Sequence, residues 1–199
     1  MKMDIDFLEI GTSNFDTLIQ TCDDSQIGIS VDAIQYYLDC LPTKPNVKKI
    51  HNAISSNRAS DSIKIYYIPE DIIQSNNLYS WFKGCNSIGD YHFQHKNHGV
   101  THLVKIEDVP LINIDEFLIQ NNIRKIKYLK IDTEGHDCVI LNGLFKYLET
   151  KDVCYYPDQI LFESNSLTRS DIVDRTIEYA LRIGYKIAYR NEADTMLVL

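Results

Sequence analysis

Short apolar runs alternate with amphipathic stretches along almost the whole chain, and this alternation constrains the fold more than any single motif. Residues 5–10, 27–32, 47–52, 62–68, 101–108, 126–132 and 158–163 read as strands, being too short and too rich in branched and aromatic residues for helices. Helices are predicted near 14–22, 34–41, 113–122, 136–148 and 169–183. The second stops at Pro42, whose ring cannot continue a helix. Strands alternating with helices predict βαβ units, hence an α/β fold with a mainly parallel sheet. The C-terminal "YKIAYRNEADTMLVL" departs from that rhythm, reading as two strands around a turn at Asn191-Glu192-Ala193. A hairpin at this point implies one antiparallel strand in an otherwise parallel sheet. The stretch 69–100, with scattered Asn, His and single Gly residues, reads as irregular.

With 199 residues and no repeat, linker or low-complexity tract, the chain is expected to form one domain. No apolar run approaches the roughly 18 residues of a membrane span. The start, "MKMDIDFLEI", lacks the apolar stretch of a signal peptide, and the five cysteines are scattered without a CxxC pair. Both features predict a cytoplasmic protein with reduced thiols. The net charge of −8 opposes long nucleic acid as a partner, because such binding rests on neutralising phosphates. A small substrate and a homo-oligomer both stay open.

"FLEIGTSNF", residues 7–15, has the outline of a nucleotide-binding turn: strand, acid, glycine, then small polar residues. Ligands of open α/β sheets bind at the carboxyl ends of the strands, where strand order reverses. A dinucleotide site would use GxGxxG, yet only Gly11 is present, with Ser13 and Asp16 where later glycines would stand. An aspartate beside a pyrophosphate is electrostatically wrong, which disfavours NAD and FAD. Asp32 nevertheless lies 21 residues after Gly11, close to the roughly 20-residue spacing of the acid that binds ribose hydroxyls. An acid for the ribose without a phosphate cradle suits a nucleoside that carries no phosphate, and S-adenosyl-L-methionine is the common cofactor of that description. A lone glycine or aspartate could equally be a plain turn residue and a solvated acid.

In "YLKIDTEGHDCVILNGL", residues 128–144, a buried strand delivers Asp132, Glu134 and His136 to the start of a helix. The apolar side of that helix is Ile140, Leu141, Leu144, Phe145 and Leu148. Acids in a first helical turn also complement the helix dipole, a structural reading that applies most directly to Glu134. Asp132 comes from the strand itself and is expected to face the crevice.

Together the segments "FLEIGTS", "SVDAI", "HNAISS", "GCNSIG", "VPLINIDEFL", "LKIDTEG" with "VILNGL", and "ILFESN" resemble the FkbM-family methyltransferases, class I S-adenosylmethionine-dependent enzymes acting mostly on hydroxyl oxygens. They occur in family order over nearly the whole chain, and "KIDTEG…LNG" is the most specific of them. The first turn departs from the common pattern by lacking the second glycine, and Asp32 stands where many relatives have Glu. The resemblance implies a Rossmann-like, seven-stranded, mainly parallel sheet with a reversed final strand and helices on both faces. A further departure is expected in that the chain begins directly at the first strand, without the N-terminal helices that close the cofactor pocket in many methyltransferases. The resemblance puts Glu9, Gly11, Thr12 and Ser13 around the methionine end of the cofactor and Asp32 and Ala33 at the ribose and adenine. Asn52, Ala53 and Ile54 fall at the adenine edge, Asn86 and Ser87 in a loop near the cofactor, and Asp132 beside the point of methyl transfer.

Methyl transfer to oxygen needs alignment and removal of the hydroxyl proton. Asp132 is the first choice for that proton and His136 the second, since imidazole titrates near neutral pH, with Glu134 supporting them. The segment 69–100 is expected to cover the substrate, its Trp81, Phe82, Tyr91 and Phe93 serving either that purpose or a local core. His92, His95, His98 and His102 match no metal-ligand spacing, so no metal is assigned, although Asp132 and Glu163 could hold Mg²⁺ through oxygen. No (D/N)PP(Y/F) follows the strand at 126–132, which disfavours amino methylation of adenine or cytosine. The expected acceptor is a small molecule or glycan bearing a hydroxyl. The alternatives are a catalytically inactive binding module of the same fold and, further off, a nicotinamide oxidoreductase.

Overall fold

Most of the apolar runs become strands. In chain order the computed structural model, which describes residues 2–199, forms β1 (Met3–Ile10), β2 (Gly28–Asp32), β3 (Val47–His51), β4 (Ala53–Ser55), β5 (Ser62–Tyr67) and β6 (Ser87–Ile88). They are followed by β7 (Lys105–Asn113), β8 (Ile123–Ile131), β9 (Gln159–Glu163), β10 (Lys186–Arg190) and β11 (Asp194–Val198). The helices are α1 (Leu18–Thr21), α2 (Gln35–Cys40), α3 (Glu70–Ser75), α4 (Phe93–Asn97), α5 (Ile114–Gln120), α6 (Asp137–Leu148) and α7 (Ser170–Arg182).

Seven strands make one sheet in the order β10-β11-β9-β8-β1-β2-β3. All neighbours among β9, β8, β1, β2 and β3 are parallel, and β11 runs antiparallel to both β9 and β10. The one reversed strand is thus the last, inserted between β9 and β10, as the C-terminal hairpin predicts. From β1 the chain winds outward through β2 to β3, whereas β8 and β9 lie on the other side of β1. Right-handed crossovers then put α1 and α2 on one face and α6 on the other, and the order reverses between β1 and β8. Every residue of β2 is buried, as expected of a parallel strand covered on both faces. The main core joins Leu8, Val31, Leu129 and Phe162 of the sheet to Ile140, Leu141, Leu144, Phe145 and Leu148 of α6, the side predicted to be apolar. A smaller cluster of Ile19, Leu38 and Leu41 lies under α1 and α2.

The predicted strands at 62–68 and 101–108 do not join this sheet. They form a second one, in the order β4-β7-β5-β6, with its own core of Ile34, Tyr37, Ile65, Tyr67 and Val109. Residues 101–103 are a 3-10 turn, and the strand runs on to Asn113 through Pro110. Pro110 lies where β7 exchanges β5 for β4 as its neighbour, so a missing N–H interrupts little pairing. The stretch 69–100, expected to be irregular, holds α3, β6, α4 and a 3-10 turn at Ser80–Gly84 around a third cluster of Ile68, Ile73, Phe82, Cys85 and Val100. No helix among the described residues is long and apolar enough to cross a membrane.

Candidate active site at the strand ends

Gly11 follows β1 with a φ of 81°, and a Cβ built there would stand 1.9 Å from the carbonyl oxygen of Asp132. The glycine is needed because the end of β8 passes against this turn, whatever the ligand. Ser13 and Asp16 also have positive φ, 49° and 52°, and they carry the turn further than the sequence suggests. As a result α1 begins at Leu18 rather than near residue 14. Side chains hold the turn in place. The Ser13 N–H donates to Asp32 Oδ2 at 2.8 Å, and the Leu18 N–H donates to Glu9 Oε2 at 2.9 Å. From β8, Lys130 Nζ donates to Glu9 Oε1 at 3.1 Å and to the Asp16 carbonyl at 2.9 Å.

Beside this turn lies a cavity with about 880 Å³ of atom-free space, counted out to its open mouth. Its floor comes from Gly11, Thr12, Ser13, Phe15 and Asp16, from Asp32, Ala33 and Ile34 after β2, and from Asn52, Ala53 and Ile54 after β3. Lys130, Asp132, Thr133 and Glu134 form one end, and Gly84, Asn86, Ser87 and Ile88 form the cover. All of the predicted site residues except Glu9 and His136 line this space. Glu9 is fully buried beneath the turn, where desolvation raises its carboxyl above the usual range against the pull of Lys130. His136 stands at the start of α6, its Nε2 paired with Ser55 Oγ at 3.0 Å, and burial lowers its pKa.

Asp32 sits at the switch point as the spacing predicts. Its Oδ1 accepts from the Ile34 N–H at 2.7 Å, and burial pushes its carboxyl up to about 6 despite these bonds. At the far end, Asp132 presents free surface, but that surface faces a concave wall. Desolvation there raises its pKa, Lys130 opposing and Asp194 adding to the effect. Glu134, with a φ of 53°, is pushed to about 9 by burial and then by Glu163, Asp132 and Asp137. Glu163 at the end of β9 rises to about 8 by burial and then by Asp132, Asp137 and Asp194. Asp137 is fully buried and ties the ends of β8 and β9 together, accepting from Thr133 Oγ1 at 2.8 Å and from the Glu163 N–H at 3.2 Å.

Lys130 escaped the sequence reading, although period-two alternation along β8 puts it on the same side as Asp132. Phe15 and Gly84 were missed as well; they belong to a turn and a loop with no periodic signal. Among the cover aromatics, Phe82 belongs to the local core, whereas Trp81 and Phe93 are each more than two-fifths exposed and neither lines the cavity. Among the described residues no group of three or more His, Cys, Asp or Glu is arranged to hold a metal ion.

Comparison with known proteins gives one family. The model of the Methyltransferase FkbM domain matches residues 9–187. Among solved structures, M. capricolum TrmK in complex with S-adenosyl-homocysteine is similar at 12% identity and a TM-score of 0.38. That match covers 100% of this chain, which spans 62% of the other's length. No curated protein matches the chain.

Proposed function

The chain belongs to the FkbM methyltransferase domain family, and from that premise we propose that it is an S-adenosylmethionine-dependent methyltransferase acting on a hydroxyl oxygen of a small molecule or sugar. One observation carries the reading: the cavity lining holds the carboxylates Asp16, Asp32 and Asp132, with Glu134 neutral beside them, against the single ammonium of Lys130. That balance favours a sulfonium nucleoside and repels a pyrophosphate. The residues present fit the cofactor, since Ser13 Oγ and Asn86 Oδ1 lie buried in the lining without a partner and are left for a ligand. In this reading the 199 residues act as one methyltransferase domain. Asp32 and Ala33 would hold the ribose and adenine, Asn52, Ala53 and Ile54 the adenine edge, and Gly11, Thr12 and Ser13 the methionine end. Ser87 and Asn86 would approach from the cover.

Bound there, the cofactor would supply a methyl group already activated on sulfur. The chain's own residues then have to orient a hydroxyl, exclude water and take one proton. Asp132 Oδ is the proposed proton acceptor: it opens onto the cavity, and its raised pKa makes it a better base than a solvated aspartate. Glu134, more strongly raised, stays protonated at neutral pH and acts as a hydrogen-bond donor beside it. His136 is engaged by Ser55 and supports the start of α6. The segment 69–100 covers the acceptor.

Isothermal titration with S-adenosylmethionine, S-adenosylhomocysteine and NAD tests the reading. Saturable binding of the first two and none of NAD is expected, and the reverse overturns it. Methyl transfer to pooled hydroxyl compounds separates an enzyme from an inactive binding module, which would bind and never turn over.

A further inference from the structure

Three rings of the cover lie together at its surface. Tyr79 is 65% exposed and Trp81 43%, and their rings run nearly parallel, 11° apart with centroids at 5.9 Å. His98, also exposed, makes T-shaped contact with both, at 5.3 Å from Trp81 and 6.5 Å from Tyr79. Trp81 stacks in turn on the buried Phe82 at 4.1 Å, so the core of the cover holds its ring in place. Position gives this ledge a use. Trp81 and Gly84 belong to one 3-10 turn, Ser80–Gly84, and stand three residues apart. In a 3-10 helix such residues are eclipsed on one side, about 6 Å apart along the axis. Gly84 lines the cavity, and a Cβ there would meet Glu134 Oε1 at 3.2 Å. Trp81 is thus on the side of the turn that faces the acid end of the cavity, one helical turn away from the lining.

Charge decides what can stack there. Unpaired nucleobases stack on aromatic rings, but such binding also needs a basic groove for the phosphates. The cover, residues 69–100, has two lysines and no arginine. Each lysine is held by an acid, Lys83 by Glu70 at 3.3 Å and Lys96 by Asp90 at 2.7 Å. What fits is a neutral ligand with an apolar face and polar edges. A pyranose ring is such a ligand. The C–H groups of one face meet the electron-rich face of an aromatic ring, and its hydroxyls reach outward to water and to the polar tips of Tyr79, Trp81 and His98. We propose that Tyr79 and Trp81 form a stacking platform for a neutral glycan just outside the cavity, holding one sugar ring while a neighbouring ring presents its hydroxyl to Asp132. This inference rests on the methyltransferase reading above and deepens it, choosing a glycan among the hydroxyl compounds that the cavity would accept.

Trp81 is the only tryptophan of the chain, so its fluorescence reports on the platform directly. Short neutral oligosaccharides of glucan, mannan and galactan type are titrated against the unaltered protein, with oligothymidylate beside them. At least one glycan should change the emission saturably. In isothermal titration Trp81→Leu should then lose affinity for it by about tenfold or more, with the affinity for S-adenosylhomocysteine unchanged. Because Trp81 rests on the core of the cover, Tyr79→Ala is tested as well; it removes the more exposed ring and leaves that core alone, and the same pattern is expected. A saturable response to oligothymidylate alone makes the ledge a base-stacking surface and overturns the proposal. No response to any probe, or glycan binding that both variants keep, overturns it too. Glycan binding lost in both variants, by a protein with no affinity for S-adenosylhomocysteine, supports the platform and overturns the methyltransferase reading instead.

Discussion

Three buried carboxylates of the floor have both oxygens paired, whereas the fully buried histidine in the cover's core has neither ring nitrogen matched. On the floor, both oxygens of Asp32, Glu9 and Asp137 accept hydrogen bonds. In the cover, His92 Nε2 and both ring nitrogens of the fully buried His95 have no partner. The two regions also answer pH in opposite senses. Burial raises the acids at the floor's end, Glu134 to about 9 and Glu163 to about 8, while it lowers His95 to about 4 and lowers His92 too. The difference teaches a division of labour. A floor preorganised by its own hydrogen bonds suits a ligand that never changes, and a cover with a small, imperfectly satisfied core suits one that varies and must come and go.

The largest effect should come from Asp132→Asn. The amide keeps the shape but cannot take the acceptor's proton, so turnover should fall by about 10²–10⁴-fold with cofactor affinity retained. Stopped-time product assays beside titration check this. Loss of binding together with turnover would make Asp132 a structural part of the floor. Next comes Gly11→Ala, whose Cβ would collide with the Asp132 carbonyl at 1.9 Å in a left-handed backbone. A cost of about 2–5 kcal/mol is expected from the combined strain and overpacking, seen as a lower denaturation midpoint and lost binding. A wild-type midpoint would show that the floor yields where it looks rigid.

The same contrast governs what could be read from the sequence. Floor elements repeat locally: "FLEIG", "ISVD" and "YLKID" each carry strand pattern and exit residue within a few positions, and the Gly11 to Asp32 spacing follows from the βαβ unit. The strands at 62–68 and 101–108 looked no different, because a strand's own pattern does not say which sheet it joins. Their separate sheet depends on partners far apart in sequence, such as Ile65 with Glu107. Side-chain direction was the other gap. Glu9 and His136 are the right residue types beside the site, and each is turned away by a partner, Lys130 and Ser55, that only the folded chain supplies.

A smaller effect is expected from Asp32→Ala. It removes acceptors for the Ser13 and Ile34 N–H groups as well as the proposed contact with the ribose. A lost charged acceptor is worth about 1.5–3 kcal/mol, so the cofactor dissociation constant should rise tenfold or more. An unchanged constant in a folded variant would move the nucleoside away from the switch point.

The finest test of the contrast is the pH dependence of thermal stability. Glu134 and Glu163 have folded pKa values above their unfolded ones, so the stability they allow is fully present below about 4.5 and is lost as pH rises toward 8 and 9. His95 is shifted the other way, so its contribution is intact above about 6.5 and is lost as pH falls toward 4. Asp32 and Asp137, both raised to about 6, oppose the histidine over part of that acid window without reaching the alkaline one. The acids outnumber the histidine, so the melting temperature should fall as pH rises from about 4.5 toward 9, with His95 offsetting part of the fall below about 6.5. Glu134→Gln should make that fall shallower between about 4.5 and 9 and leave the profile below about 4.5 in place. His95→Phe should steepen the fall between about 4 and 6.5 alone, and at pH 7 it should leave stability unchanged or higher, since it exchanges two unpaired buried nitrogens for ring carbons beside Phe82. If Glu134→Gln changed the profile below about 4.5, or His95→Phe changed it above about 6.5, floor and cover would melt as one electrostatic unit, and the division of labour drawn between them would fail.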